Sequence, residues 1–171
     1  MKHFRTDLIA LAQAGKIDIL IHGANCQNTM GKGFAKLIKE TWPEAYEADL
    51  QTTRGDSRKL GKFSYAKVKV GMSGKTMIII NLYTQFHWYG EGLKTDYNAI
   101  HEGLRNVKKY FGGKNSRFAM PMIGCGLGGG DWNIVKSIIE VELDGENVAI
   151  VTRPKAKALT QKEDDKQHEA A

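Results

Sequence analysis

Residues 120–132 read Met-Pro-Met-Ile-Gly-Cys-Gly-Leu-Gly-Gly-Gly-Asp-Trp, which is the pattern of a strand followed by a glycine loop and the start of a helix. An apolar run, Phe118 to Ile123, leads into a turn with five glycines in seven residues, and a helical pattern begins at Asp131. Glycines let the backbone approach a ligand closely, so the N–H groups of such a turn can surround an anion at a helix start. The stretch therefore indicates phosphate binding, and a flexible turn without a ligand is the alternative.

A second arrangement of strand, loop and helix lies near the amino terminus. The run Ile17 to Ile21 is typical of a buried strand, and it continues into His22-Gly23-Ala24-Asn25-Cys26. A glycine-bearing helix start follows at residues 30–35. Two such loops at the carboxyl ends of strands can hold one ligand from both sides.

The totals bound the class of protein. A chain of 171 residues is expected to form one domain, and it has no apolar run near the ~20 residues that span a bilayer. The amino terminus lacks the apolar region of a signal peptide, so we expect a cytoplasmic protein without a membrane partner. Cys26 and Cys125 fit free thiols, and no metal-ligand pattern appears. The net charge of +6 favours a nucleotide or nucleic-acid partner, and a general solubility charge is the alternative.

Helical and strand patterns alternate along the chain. They predict an α/β fold with a mixed, mostly parallel sheet between two helical layers. The expected strands cover residues 2–5, 17–22, 62–70, 75–83, 118–123 and 148–152, and those at 62–70 and 75–83 are expected to form an antiparallel hairpin. The expected helices cover residues 8–14 with Thr6 or Asp7 as the cap, residues 32–41 and 44–53, a segment with Thr95 or Asp96 as the cap that runs to about Tyr110, and one from 131. The domain is expected to span residues 1–153, and the polar tail of residues 154–171 is expected to be disordered.

Taken together, the two loops resemble those of macrodomains, a family of ADP-ribose-binding modules, over roughly Met1 to Thr152. The first loop reads His22-Gly23-Ala24-Asn25 where the family usually reads Asn-x-Ala-Asn. The second, Pro121 to Trp132, looks most like the branch that contains DNA-ADP-ribose-removing antitoxins and related deacylases. The resemblance implies a three-layer αβα macrodomain fold with ADP-ribose as the ligand. We expect a monomer that needs no cofactor.

The resemblance also implies particular positions. Asp7 matches the aspartate that accepts a hydrogen bond from the adenine amino group, and Asn25 matches the residue that holds the distal ribose. Two further segments match the loops at the diphosphate and the distal ribose. The ligand-binding positions implied are Asp7, Leu8, Gly31, Lys32, Gly33, Phe34, Gly124, Cys125, Gly126, Leu127 and Gly128.

Two departures from the family pattern bear on the reaction. Glycohydrolase members carry a lysine where this chain has Gln85, and some carry an aspartate where it has Gly128. An amide cannot form a Schiff base with an opened ribose. The pattern around His22 instead resembles small macrodomains that remove phosphate from ADP-ribose 1''-phosphate.

Three residues are the catalytic candidates: His22, Asn25 and Asp131. His22 is expected at the end of its strand beside the distal ribose, where an imidazole that titrates near neutral pH can move a proton. A structural histidine bonded to a carbonyl is the alternative. Asp131 can act as acid or base, or cap a helix. A Cys125 nucleophile is disfavoured, because cysteine phosphatases need an arginine six positions on, where this chain has Asp131.

These observations leave four functional hypotheses. The leading one is an ADP-ribose-binding macrodomain that hydrolyses ADP-ribose 1''-phosphate to ADP-ribose and phosphate. The nearest rival removes ADP-ribose from modified protein or nucleic acid. A non-catalytic ADP-ribose reader and a nucleotide-binding protein of another fold are the remaining two.

Overall fold

A computed structural model describes residues 1–155, and a six-stranded sheet lies at its centre. The strands are β1 (Lys2–Arg5), β2 (Ile19–Asn25), β3 (Phe63–Val70), β4 (Lys75–Gln85), β5 (Arg117–Met120) and β6 (Asn147–Thr152). The helices are α1 (Leu8–Gln13), α2 (Gly33–Thr41), α3 (Pro43–Leu50), α4 (Tyr97–Phe111) and α5 (Trp132–Glu142), and Ser57–Lys59 forms a 3₁₀ turn.

The sheet is mixed and mostly parallel. Its strand order is β1-β6-β5-β2-β4-β3, and every neighbouring pair is parallel except the last. β3 and β4 form an antiparallel hairpin with a register from Phe63 opposite Leu82 to Val70 opposite Lys75. The predicted sheet type and the predicted hairpin are therefore confirmed.

Helices cover both faces of the sheet. Side chains alternate between the faces along β2, so Ile19 and Ile21 pack in the core beneath α4 and α5 while Leu20 packs in the core beneath α1, α2 and α3. Both cores consist of buried aliphatic side chains from strands and helices. The chain thus has the α/β fold with three layers that its sequence predicts.

Several boundaries differ from the sequence expectation. β2 starts at Ile19 rather than at residue 17 and continues to Asn25. β5 ends at Met120, because Pro121 has no N–H for the sheet ladder, and α3 ends at Leu50 rather than near residue 53. The polar tail was expected at residues 154–171, and the part of it beyond residue 155 lies outside the described residues. No helix among residues 1–155 has both the length and the apolarity needed to cross a bilayer.

A partly buried ion cluster fixes the amino ends of the three central strands. Asp18, just before β2, accepts hydrogen bonds from the backbone N–H and the Nε of Arg117 at 2.7 and 2.8 Å. Its other carboxylate oxygen pairs with Lys75, the first residue of β4. The Arg117 guanidinium and the Lys75 ammonium hold the pKa of Asp18 well below its usual range, against the opposing effect of burial.

We expect Asp18→Asn to lower the free energy of unfolding by roughly 2 kcal/mol at pH 7, because it removes the charge that Arg117 and Lys75 share. The Asp18 carboxylate stabilises the fold above its unfolded-state pKa of about 4, and this contribution is lost as the pH falls further. Urea unfolding should therefore give a difference between the variants that shrinks below about pH 4. Asp144→Asn, at an exposed carboxylate that forms no ion pair within residues 1–155, is the control. A difference independent of pH would contradict the role of the charge.

Candidate functional site

Five parallel strands end at one edge of the sheet, and the segments that follow three of them form the candidate site. β2 continues into residues 26–32, called here the first loop. β5 continues into residues 121–130, the glycine-rich turn, and β4 into residues 86–89, the aromatic loop. The carboxyl ends of parallel strands are where α/β folds bind ligands, so this edge is the place to test.

The glycine-rich turn is anchored through its carbonyl groups. Thr95 Oγ1 donates to the carbonyl of Gly124 at 2.6 Å, and the backbone N–H groups of Lys94 and Thr95 donate to that of Gly128 at 2.9 and 3.1 Å. The N–H groups of the turn are left largely free. Those that find no acceptor among residues 1–155 include Gly124, Gly126, Leu127 and Gly128. The turn therefore presents donors suited to an anion.

Close packing restricts several positions of this turn to glycine. Gly124 has a φ of +71°, and a Cβ there would lie 2.8 Å from Thr95 Cγ2. A Cβ at Gly128 would lie 2.3 Å from Thr95 Oγ1, and a Cβ at Gly130 would lie 2.7 Å from the carbonyl oxygen of Gly124. By contrast, a Cβ at Gly126 would meet open space. The glycine content of the turn therefore reflects close packing against Thr95 and against the carbonyl that Thr95 holds.

The side chain of Asn25 shapes the first loop from within. Its Nδ2 donates to the carbonyl and the hydroxyl of Thr29 at 3.0 and 2.9 Å, and its Oδ1 accepts from the N–H of Gln27 at 2.9 Å. Asn25 is 8% exposed. The residue predicted to hold the distal ribose therefore lies at the site with its amide bonded to its own loop.

The two segments meet across the edge of the sheet. A Cβ built on Gly33 would lie 3.3 Å from Cδ1 of Leu127, so the start of α2 touches the tip of the glycine-rich turn. Near this contact lies a second run of backbone N–H groups with no acceptor among residues 1–155. They belong to Gly31, Lys32, Gly33 and Phe34. Both predicted loops are thus brought together with unpaired donors.

Asp7 and Leu8 lie at the same edge, where β1 gives way to α1. Asp7 is exposed and caps α1, with one carboxylate oxygen accepting from the N–H of Ala10 at 3.1 Å. Leu8 is buried in the core, so its side chain lies away from the cleft. Of this pair, only the Asp7 carboxylate and the backbone are placed to contact a ligand.

His22 lies away from the position expected for it. β2 continues three residues beyond it, and its side chain is 1% exposed and packs edge-on against Phe34 at 6.4 Å. Its Nε2 contacts Oδ1 of Asn81 at 2.7 Å, and Asn81 Nδ2 donates to the carbonyl of Ala45 in α3. Burial lowers the pKa of His22 to about 4, even though the Asn81 contact favours the charged form. The imidazole is therefore a buried neutral group beneath the site.

Asp131 and Cys125 are placed differently from each other. Asp131 is exposed at the end of the glycine-rich turn, and one of its carboxylate oxygens caps α5 by accepting from the N–H of Asn133 at 2.7 Å. Burial raises the pKa of the Cys125 thiol, which lies 3.4 Å from the carbonyl oxygen of Ile123. The Cys125 N–H is also used, by the carbonyl of Met122. Asp131 is thus the accessible titratable group of the two.

The two departures from the family pattern lie side by side. Gln85 Oε1 would be 3.1 Å from a Cβ placed on Gly128, and Gln85 Nε2 donates to the carbonyl of His87 at 3.1 Å. A carboxylate at position 128 would clash with Thr95 as it now stands. Two uncharged residues, Gln85 and Gly128, therefore lie where the sequence resemblance led us to compare them with a lysine and an aspartate.

The aromatic loop forms one rim of the site. His87 stacks on Tyr89 with a centroid distance of 4.6 Å, and Trp88 packs edge-on against Tyr89 at 5.6 Å. Lys32 Nζ lies 5.7 Å from the ring centroid of Trp88, which links this rim to the first loop. Lys32 therefore contacts the rim as well as leading into α2.

Two features of the site do not follow from the sequence pattern. Of the two predicted caps of α4, Asp96 is the cap, and Thr95 instead holds the glycine-rich turn. Lys59, for which the sequence predicts no role, lies buried beneath the first loop beside Asn28. The periodicity of apolar residues along the chain cannot reveal either contact, because the partners are distant in sequence. No three His, Cys, Asp or Glu side chains in residues 1–155 are grouped closely enough to hold a metal ion.

The chain matches known proteins along most of its length. The family model described as Macro domain matches residues 21–139. A 17.5 kDa protein of Enterobacteria phage T4 is 33% identical over 156 residues, which cover 88% of this chain and 95% of that protein. A DNA ADP-ribosyl glycohydrolase of Thermus aquaticus is 28% identical, and the match covers 84% of this chain but only 40% of the relative.

A solved structure matches the fold as well. The macrodomain of Mycobacterium tuberculosis DarG superposes with a TM-score of 0.67 at 25% identity, covering 91% of this chain and 99% of that chain.

We expect Gly128→Ala to lower the free energy of unfolding by about 1–3 kcal/mol, because its Cβ would force Thr95 away from the carbonyl of Gly124. Gly126→Ala is the matched control, since its Cβ meets open space, and it should change stability by less than about 0.5 kcal/mol. Denaturant unfolding at neutral pH measures both. Equal stability of the two variants would contradict this packing.

An NMR titration of the ring protons of His22 should give a midpoint near pH 4. Burial disfavours the imidazolium in the folded state, whereas the unfolded chain takes up the proton near pH 6.5. Stability should therefore fall as the pH is lowered from about 6.5 towards 4. A His22→Gln variant identifies the resonance. A midpoint at or above about pH 6 would show an accessible imidazole instead.

Proposed function

Because the chain belongs to the macrodomain family, we propose that it binds ADP-ribose at the sheet edge between the first loop and the glycine-rich turn. One observation carries this proposal: two groups of unpaired backbone N–H groups lie on segments that touch at Gly33 and Leu127. A diphosphate supplies the acceptors that these donors lack.

The remaining parts of the ligand follow from the strand order. β1 lies three strands from β2, which corresponds to about 14 Å at the usual spacing of neighbouring strands. We propose that the adenine lies at the β1 end, where the Asp7 carboxylate has an oxygen available for its amino group. The distal ribose would then lie near the first loop and the aromatic loop.

We further propose that the chain hydrolyses ADP-ribose 1''-phosphate. The uncharged Gln85 and Gly128 leave no lysine for a Schiff base, whereas a phosphate ester needs only a positioned water and a proton acceptor. The exposed Asp131 carboxylate, at the end of the glycine-rich turn, is the candidate acceptor, with one oxygen capping α5 and the other available. This role requires the 1''-phosphate to reach the end of the glycine-rich turn, where Trp132, the residue after Asp131, packs edge-on against His3 of β1 at 6.1 Å. Water attacks phosphorus and gives one proton to Asp131, the bond between phosphorus and O1'' breaks, O1'' takes a proton from solvent water, and Asp131 returns its proton to solvent.

A second candidate reaction is removal of ADP-ribose from nucleic acid. It is favoured by the similarity to a DNA ADP-ribosyl glycohydrolase and, mildly, by the net charge of +6. Gln85 is the observation against a lysine-dependent form of this reaction.

The wild-type chain should release phosphate from ADP-ribose 1''-phosphate, and Asp131→Asn should lower kcat by about 100-fold or more. Asparagine caps a helix as well as aspartate does, so the melting temperature should change little and the loss would report on the proton acceptor. Asp144→Asn, at an exposed carboxylate after α5, is the control for charge.

ADP-ribosylated DNA and ADP-ribosylated protein are assayed in parallel. Release of ADP-ribose from DNA alone would replace phosphatase activity with the second candidate. Binding of ADP-ribose without any turnover would identify a reader. Full phosphatase activity in Asp131→Asn would remove Asp131 from the mechanism.

A further inference from the structure

A lysine lies buried beneath the first loop. Lys59 is 7% exposed, and its Nζ donates to Oδ1 of Asn28 at 2.6 Å and to the carbonyl of Cys26 at 3.4 Å. On its other side it lies 3.8 Å from Oδ1 of Asp49, which is 1% exposed, and 4.4 Å from the ring centroid of Tyr83. The ammonium group therefore links the first loop to Asp49 in α3 and Tyr83 in β4.

Burying such a group is costly. Burial lowers the pKa of Lys59 and raises that of Asp49, which means that it disfavours the charged form of each side chain. Apolar side chains of similar volume often stabilise a fold at least as well as a buried ion pair. The contacts of Lys59 with the first loop therefore point to a role other than stabilising the fold.

These contacts control an unusual backbone conformation. Asn28 has a φ of +55°, in the left-handed region. Because Lys59 occupies its Oδ1, its Nδ2 is directed to the carbonyls of Asp49 and Thr52, to which it donates at 2.7 and 3.0 Å. The backbone that leaves Asn28 continues directly to the unpaired N–H groups that begin at Gly31.

We propose that Lys59 is a positioning residue for the ADP-ribose site, which holds the first loop in its binding conformation through Asn28 and Cys26. The proposal rests on the proposed binding of ADP-ribose. A loop already held in shape loses less conformational entropy when the ligand binds, and this raises affinity. Lys59 touches no ligand, and its effect passes through the backbone of residues 26–32.

The cluster offers a matched control on its far side. Tyr83 is 1% exposed, and its hydroxyl donates to Oδ1 of Asp49 at 2.8 Å and contacts Ser64 Oγ at 2.8 Å. Tyr83→Phe removes these contacts but leaves those of Lys59 with the first loop. Lys59→Met removes the contacts with the loop while filling a similar volume.

Both variants should lower the melting temperature. Calorimetry should show that Lys59→Met weakens ADP-ribose binding at least tenfold, while Tyr83→Phe stays within about twofold of wild type. Amide exchange followed by NMR should quicken at least tenfold in Lys59→Met at Gln27 and Gly55, whose N–H groups bond to Asn25 and Cys26. Exchange at Gly130, in the other segment, should not change.

Asn28→Gly provides a second test if Lys59→Met does not fold. Glycine keeps the positive φ but removes both side-chain contacts, so the same selective loosening and loss of affinity are expected. Equal effects of Lys59→Met and Tyr83→Phe, or faster exchange without weaker binding, would overturn the proposal. If the wild-type chain binds no ADP-ribose, the proposed function fails. Unchanged amide exchange in Lys59→Met would independently refute the role of Lys59 in holding the first loop.

Discussion

The candidate site depends on one short hydrogen bond, from the Thr95 hydroxyl to the carbonyl of Gly124. Together with the two N–H groups that bond to Gly128, it turns the carbonyls of the glycine-rich turn towards the start of α4. The two peptides whose carbonyls are held in this way have their N–H groups, those of Cys125 and Gly129, bonded within the turn, and the unpaired donors are those of Gly124, Gly126, Leu127 and Gly128. The same hydroxyl fills the space that a side chain at Gly128 would need. The Thr95 hydroxyl thus both anchors the turn and requires glycine at position 128.

The first loop, which faces the glycine-rich turn, is shaped by side-chain hydrogen bonds. The first loop rests on a layer of buried polar side chains that extends from His22 through Asn81, Ser64, Tyr83 and Asp49 to Lys59. Each contact in this layer joins segments that are distant in sequence. Backbone packing against Thr95 therefore shapes one segment, and side-chain hydrogen bonds shape the other. Both leave backbone N–H groups free where the segments meet.

Local rules predicted the fold well but predicted parts of the site incorrectly. The glycine-rich turn, the hairpin of β3 and β4, and the capping of α1 by Asp7 follow from short-range patterns. The position of His22 does not follow from such patterns, because its distance from the carboxyl end of β2 depends on where that strand ends. The strand ends only at Asn25. The burial of Lys59 was equally hidden, since its partners Asn28 and Asp49 lie in other segments. Charge and spacing alone would place such a lysine at the surface.

The most direct test of the account is an NMR titration of the wild-type chain with ADP-ribose. A diphosphate held between the two segments should cause saturable shifts in the backbone N–H signals of the glycine-rich turn, Gly124 and Gly126 to Gly128, and in those of Gly31 to Phe34, because both groups gain a phosphate acceptor. Shifts confined to one of these segments, or centred elsewhere on the molecule, would contradict a diphosphate held between them.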